Sequence, residues 1–191
     1  MERYDVKRHA VRTAFSELKI RGLLVHKRNR GVEVVSFEPD EVDELYEIRI
    51  ILETAAAERT PLPAPASILT KLGSLATAHK ATCEDMDFRA VFALNNEFHR
   101  TLFAYCENDR LVELIEEHAR MVQPIRVVKY DDVEHMRVVV AQHFEIIEAM
   151  RGTSQSAYVE ATRRHLPASA EAFRARYENR FGRKEAKAAR K

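Results

Sequence analysis

The segment DVKRHAVRTAFSELKIRGLLVHKRNRGVEVV, residues 5–35, decides how the fold begins. Its first part, 5–21, places apolar residues at Val11, Ala14, Phe15 and Leu18, with Ile20 at the end. This is mostly i, i+3, i+4, i+7 spacing, so the stretch reads as an amphipathic helix with one face buried. Gly22 is a suitable C-terminal stop. LLVHK (23–27) and VEVVS (32–36) then read as two short β-branched strands. RNRG (28–31) joins them as a hairpin, with Gly31 for the tight turn. Beyond Phe37–Glu38–Pro39–Asp40 no further strand pattern occurs, and Pro39 suits the first turn of a helix. Helices are expected at about 39–59, 65–84, 87–105, 108–129, 132–151 and 154–179. The breaks fall at PLPAP (61–65), Glu107–Asn108–Asp109, Tyr130–Asp131–Asp132 and Arg151–Gly152–Thr153–Ser154. The fold expected is mainly α. A helix-plus-hairpin unit occupies 1–36, an all-α antiparallel bundle of about six helices 39–179, and a basic, disordered tail 180–191.

Composition supports this outline. Of 191 residues, 46% are hydrophobic and 32% charged, enough apolar surface for a core. Five glycines and six prolines are too few for a β-sandwich or barrel rich in turns. No apolar run approaches the roughly 18–20 residues of a membrane span, and the N-terminus is too charged for a signal peptide. Cys83 and Cys106 cannot make a disulfide framework, which implies reduced thiols and a cytoplasmic chain. The net charge of +1 conceals a pattern. Residues 1–35 carry nine Lys/Arg against four Asp/Glu, residues 36–173 fourteen against twenty-four, and residues 174–191 eight against two. A basic head, an acidic body and a basic tail point to a polyanion meeting the head, with the tail a solvated terminus.

Three of the expected helices carry a histidine on an apolar seam. The first seam is Phe92, Asn95, His99, Leu102 and Cys106, and Asn95 and His99 lie four apart on one face. The second is Met136, Val139, Val140, His143, Ile146, Ile147 and Met150. The third is Tyr158, Ala161, His165, Ala168 and Ala172. A polar group buried without a partner costs roughly 1–3 kcal/mol. One such histidine is ordinarily a hydrogen-bonded core residue, whereas three that converge can satisfy one another through a cation. Three imidazoles and an amide oxygen suit zinc, nickel, cobalt, iron or copper better than calcium or magnesium. An open position on that ion would take water or an anionic oxygen such as a carboxylate. The same set could serve a metal-dependent hydrolase, but the general base this needs is missing, because Glu97 and Glu145 lie off the seams. His79, His118 and His135 are expected at the surface, and both cysteines in or near the core.

Lys7, Arg8, His9 and Arg12 crowd the start of the first helix, and Lys27, Arg28 and Arg30 the hairpin tip. A helix entering a major groove needs such side chains at its leading end, and a hairpin tip with Arg and Gly can reach an adjacent phosphate or minor groove. A solvated charged helix and turn would show the same residues.

Residues 5–35 resemble the recognition helix and wing of a GntR-family winged helix-turn-helix regulator. They keep Val6, Arg8, Val11, Arg12, Ala14, Leu18, Gly22, Leu23 and the Asn29–Arg30–Gly31 turn, and depart at Lys7, His9 and Ala10. DELYEIRIILETAAAE (43–58) is similar to the first helix of the effector domain of the FadR-type subfamily, the FCD domain, with Arg49 and Glu53 at its Arg–x–x–x–Glu. NNEFHRTLFAYCENDRLVELI (95–115), QHFEIIEAM (142–150) and RRHL (163–166) resemble its histidine-bearing segments. The resemblance implies that Asn95, His99, His143 and His165 hold a divalent metal, zinc or nickel foremost, beside a small carboxylate effector. Asn95 stands where Asp is commoner. Arg49 becomes an effector-binding candidate, with a plain ion pair to Glu53 the alternative. Lys7, Arg8, His9, Arg12, Arg28, Arg30 and Gly31 become DNA-binding candidates. The helix count is similar to that of the VanR-like branch. Met1 falls almost on the recognition helix, so a shortened head that binds DNA weakly or not at all is expected of this chain. The function implied is a homodimeric, metabolite-responsive transcription regulator, most often a repressor, on a palindromic operator. A three-His metalloenzyme and a helical sensor without DNA binding are the alternatives.

Overall fold

The computed structural model describes residues 7–20, 22–28, 31–130 and 132–179. Helix α1 (Arg8–Ile20) is followed by strands β1 (Leu24–Lys27) and β2 (Gly31–Val34). Leu24 pairs with Val34 and Lys27 with Gly31 in an antiparallel register, and Lys27 and Glu33 add an ion pair of 3.0 Å. The helices α2 (Pro39–Arg59), α3 (Ala66–Glu84), α4 (Phe88–Ala104), α5 (Asp109–Met121), α6 (Gln123–Arg126), α7 (Val133–Arg151), α8 (Gln155–His165) and α9 (Pro167–Tyr177) follow. The mainly α architecture is as expected.

Polar residues at the expected breaks start these helices. Asp87, Asn108, Asp132 and Ser154 each accept a hydrogen bond from a backbone N–H of the first turn of α4, α5, α7 and α8. Each bond satisfies a donor that a helix start leaves unpaired. Glu38 and Glu41 form a capping box ahead of α2, with Pro39 at its first position. Helix α3 packs on α4 and α7, α2 on α8, and α7 on α8. Leu72, Phe98, Leu102, Ile146, Met150 and Tyr158 fill the centre of the resulting core. No helix among the described residues is long and apolar enough to cross a membrane.

Two expected helices are each divided. The stretch 108–129 stops at Met121 and resumes as the short α6 and a 3-10 turn, Val127–Lys129. Pro124 lies within α6, near its start, where its missing N–H costs nothing, but a continuous helix would have required that N–H. The stretch 154–179 breaks at Leu166, and Pro167 opens α9 for the same reason. This break changes the phase of the third seam: Tyr158, Ala161 and His165 are buried, but on α9 the buried position is Ala170 rather than Ala168 or Ala172. The expected 180–191 tail lies outside the described residues.

Helix α1 is amphipathic, but the expectation of a buried face is corrected: none of its residues is buried, and Phe15 is 43% exposed. Val11 and Leu18, at the two ends of the stripe, are only half-buried. The unit is held to the bundle at its far end instead. Gly22 closes α1 at φ +72°, with Leu23 N–H donating to Leu18 C=O and Gly22 N–H to Lys19 C=O. A Cβ on Gly22 would lie 2.4 Å from the carbonyl oxygen of Arg120 on α5. Gly22→Ala therefore meets both a left-handed backbone, costing about 1–2 kcal/mol, and a backbone clash. Amide hydrogen exchange is expected to accelerate in 8–34 while α4 and α7 stay protected. Unchanged exchange in 8–34 would show that Gly22 does not anchor the unit.

Candidate metal centre

His99 on α4, His143 on α7 and His165 at the end of α8 each offer one ring nitrogen, and all three nitrogens lie within 4.8 Å of one another. The seams deliver them there. Asn95 is buried, His143 fully so, and every member of the second seam is buried. The ring centroids of His99, His143 and His165 are 4.8–5.3 Å apart. His143 stacks on Phe98 at 3.9 Å, which fixes its ring plane.

The hydrogen bonds set the tautomers. Gln142 Nε2 lies toward the Arg164 carbonyl, so its Oε1 faces His165 Nδ1 at 3.1 Å. An amide oxygen only accepts, so His165 Nδ1 carries the proton and its Nε2 presents a lone pair inward. That Nε2 is 3.3 Å from His99 Nε2. Two nitrogens each about 2.1 Å from one ion lie about 3.0–3.4 Å apart at octahedral or tetrahedral angles. Both nitrogens of His143, Nδ1 of His99 and Oδ1 of Asn95 are buried without a partner. Asn95 Nδ2 donates to the Tyr130 hydroxyl at 3.3 Å, leaving that oxygen available. One nitrogen lone pair from each imidazole, with the unpartnered Asn95 oxygen, fits a transition metal. A cavity of about 20 Å³, lined by Asn95, His99 and His165 with Arg49, Arg126 and Tyr130, has room for a single ion or water.

All these imidazoles are neutral near pH 7. Burial pushes His99 and His143 well below the ordinary value of 6.5, with the neighbouring His165 next in effect. His165 is lowered to about 3 by burial and then by Arg49 and Arg126. Neutral imidazole is the form that binds a metal.

Arg49 lines the same cavity, yet its guanidinium is committed. Its Nε donates to Glu53 Oε1 at 2.8 Å, with both side chains about 95% buried. Burial opposes its charge, but Glu53 and Tyr46 hold it protonated. Glu53→Gln leaves that charge uncompensated, with an expected cost of about 3–5 kcal/mol, read from the urea midpoint. A loss below about 1 kcal/mol would show that Arg49 finds another acceptor.

His79 and His118 are corrections: both were expected at the surface and both are buried. His118 Nε2 bonds to the Leu45 carbonyl at 2.8 Å. His79, fully buried on α3, lies 5.3 Å from the His143 ring with neither nitrogen partnered. Its small and charged neighbours in sequence, Ala78 and Lys80, hid it. Apolar residues at Leu72, Ala76 and Cys83, spaced four and seven apart around it, were the available signal. Arg126 escaped notice because the break at Pro124 that turns it inward was not foreseen. Glu145 is exposed and Glu97 half-buried, and neither belongs to the histidine cluster, as their positions off the seams implied. Lys7, Arg8, His9, Arg12 and Arg28 are exposed, Gly31 has φ +81°, and Arg30 lies outside the described residues.

Residues 44–168 match the FCD domain family. Since this is well over half of its length, the chain belongs to the FCD family, within the FadR-like GntR regulators. It is 28% identical over 164 residues to YdhC of Bacillus subtilis strain 168, an uncharacterised HTH-type transcriptional regulator, covering 85% of this chain and 71% of YdhC. It is 26% identical over 172 residues to RspR, an HTH-type transcriptional repressor of Escherichia coli K12, covering 90% and 75%. Its fold is similar to that of E. coli McbR/YncC, with a TM-score of 0.74, 17% identity and coverage of 87% and 84%. YdhC and RspR are transcriptional regulators rather than enzymes.

Proposed function

We propose that this protein is a homodimeric, metabolite-responsive transcription regulator, acting as a repressor on a palindromic operator. Its helical domain holds a divalent transition metal, zinc or nickel, through Asn95, His99, His143 and His165. The observation that carries this reading is the meeting of three histidine nitrogens from three helices, beside an unpartnered Asn95 oxygen, in an FCD chain. Such an ion supplies a cationic centre for a small carboxylate effector. Arg49 steadies the pocket through Glu53 and lines it. Asn95, uncharged where a carboxylate is commoner, leaves more of the ion's charge to be met by the effector.

Lys7, Arg8, His9 and Arg12 on α1, with Arg28, Arg30 and Gly31 of the hairpin, are the DNA-contacting set. Helix α5 joins the two functions: its Arg120 carbonyl meets Gly22, and its inner face borders α4. A ligand that shifts α5 shifts the heads and their fit to two half-sites. Linkage requires that operator weaken effector binding as much as effector weakens operator binding.

The test is selection of a palindromic duplex from random DNA by this chain and by an N-terminally extended form. Arg12→Ala is expected to weaken binding and to lower the salt slope by about one. Operator binding by neither form, at low salt and with metal present, would sink the regulator reading. The absence of any buried residue on α1 favours a second reading, a helical sensor that does not bind DNA. Ligand binding with no operator binding would single it out.

A further inference from the structure

We infer that His79 is a positioning residue of the metal centre: its ring accepts the N–H that His143 retains when the other nitrogen of that imidazole goes to the ion. The inference rests on the metal reading above and assigns a role to a buried histidine outside the proposed ligand set. A neutral imidazole has one donor and one acceptor nitrogen. His143 offers one nitrogen to the cluster with His99 and His165. A metal takes the lone pair of that nitrogen, so the proton sits on the other, which points away from the ion. A ligating histidine ordinarily gives this second N–H to an outer acceptor, which fixes the ring and makes it a stronger base. His165 has such a partner in Gln142, whose Oε1 is 3.1 Å from its Nδ1. His143 is fully buried, and neither of its nitrogens has a partner. Phe98 stacks on its face at 3.9 Å and offers no acceptor.

His79 stands beside the ring that needs one. It is fully buried on α3, the helix that packs on both α4 and α7. Its ring centroid is 5.3 Å from that of His143, with the planes 32° apart. An N–H···N bond of about 2.9–3.0 Å joining two imidazoles edge to edge puts their centres about 5.2 Å apart. The two rings already stand at that separation, so ring orientation is what the bond requires. Both nitrogens of His79 are themselves without partners. A buried ring with neither nitrogen satisfied calls for a reason in a native core. On this seam, with Leu72, Ala76 and Cys83, an apolar side chain would serve packing better. His79 is not itself a ligand, because it lies outside the cluster whose nitrogens are all within 4.8 Å of one another. Every proposed donor, Asn95 included, is neutral, so the basicity that His79 adds to His143 bears directly on how tightly the ion is held.

Zinc affinity of the full chain is measured by competition with a chromogenic chelator, and metal content at saturation by elemental mass spectrometry. The visible spectrum of the cobalt-loaded protein reports the ligand set. His79→Leu is expected to weaken zinc binding about 10–100-fold, with full uptake at saturation and the cobalt bands of the parent. His79→Gln or His79→Asn, which restores an accepting oxygen, is expected to recover part of the affinity. Thermal unfolding in chelator checks that each variant folds. Independently of any substitution, a nitrogen–nitrogen coupling between the two rings is expected in the isotope-labelled, zinc-loaded protein, and its absence overturns the inference. Unchanged zinc affinity in His79→Leu also overturns it and leaves the metal reading intact. An equal loss in all three variants does the same, since it marks packing rather than an acceptor. Loss of uptake at saturation with an altered cobalt spectrum makes His79 a ligand and overturns the positioning role. A parent chain that takes up neither zinc nor cobalt sinks the metal reading, and the inference with it.

Discussion

Metal-free protein given zinc or nickel is expected to take up about one ion per chain and to unfold about 10 °C higher. A ligand that binds only the folded state at 1,000 times its dissociation constant adds about 4 kcal/mol, and in a chain of this size each kcal/mol moves the midpoint by about 2–4 °C. His143→Leu is expected to abolish both uptake and shift. The same substitution should leave the metal-free protein as stable as before, or slightly more so. Both His143 nitrogens are buried without partners, and a leucine of similar volume removes that cost while keeping contact with Phe98. The opposite signs separate a ligand from a core residue. An imidazole kept only for packing would make the variant less stable and leave metal uptake unchanged, and that result would sink the centre. Elemental analysis and calorimetric scans with and without chelator make both measurements.

Much of this site was legible in the sequence because a metal centre in a bundle is written on seams. The seam through Met136, Val139, Val140, His143, Ile146, Ile147 and Met150 is buried at every position. A polar residue within such a stripe announces itself. Asn95 and His99, one turn apart, did the same on α4. What the seams could not show was how the helices end against one another. Pro124 and Pro167 divide two stretches that look continuous by apolar spacing, because a proline near a helix start and one interrupting a helix are alike in pattern. Gln123 and Arg126, on the short helix at that break, are both buried, and their burial was hidden with it. His79 shows the complementary limit. Its neighbours Ala78 and Lys80 suggested surface, whereas its burial is set by α4 and α7 packing on α3, a tertiary fact. The stripe on α1 was read correctly as a pattern and wrongly as a buried face, since periodicity shows which face is apolar and not what covers it.

Mild acid is expected to destabilise the metal-free protein steeply, and the sign follows from the histidines. His79 is lowered to about 4, by burial and then by Arg126, and His165 to about 3. His99 and His143 are also held far below 6.5, first by burial. In the unfolded chain all four titrate near 6.5. Below that pH the unfolded state binds more protons than the folded state, so stability falls as pH falls. The stability is fully present above 6.5 and drains away as pH drops from there toward the folded values. Each histidine contributes a loss of about 1 kcal/mol between pH 6.5 and 5.5, and the four together about 4 kcal/mol. Carboxylates ionise below this window in the unfolded chain, so they contribute little to the slope. Urea unfolding at pH 7.5, 6.5 and 5.5 in chelator measures the loss, and His79→Leu should reduce it by about a quarter without touching a metal ligand. A flat profile over this window would mean that the four imidazoles reach solvent or find partners when protonated, and the buried neutral cluster would have to be abandoned. With metal bound the fall should begin at the same pH but run deeper, because protons then compete with the ion for the same nitrogens.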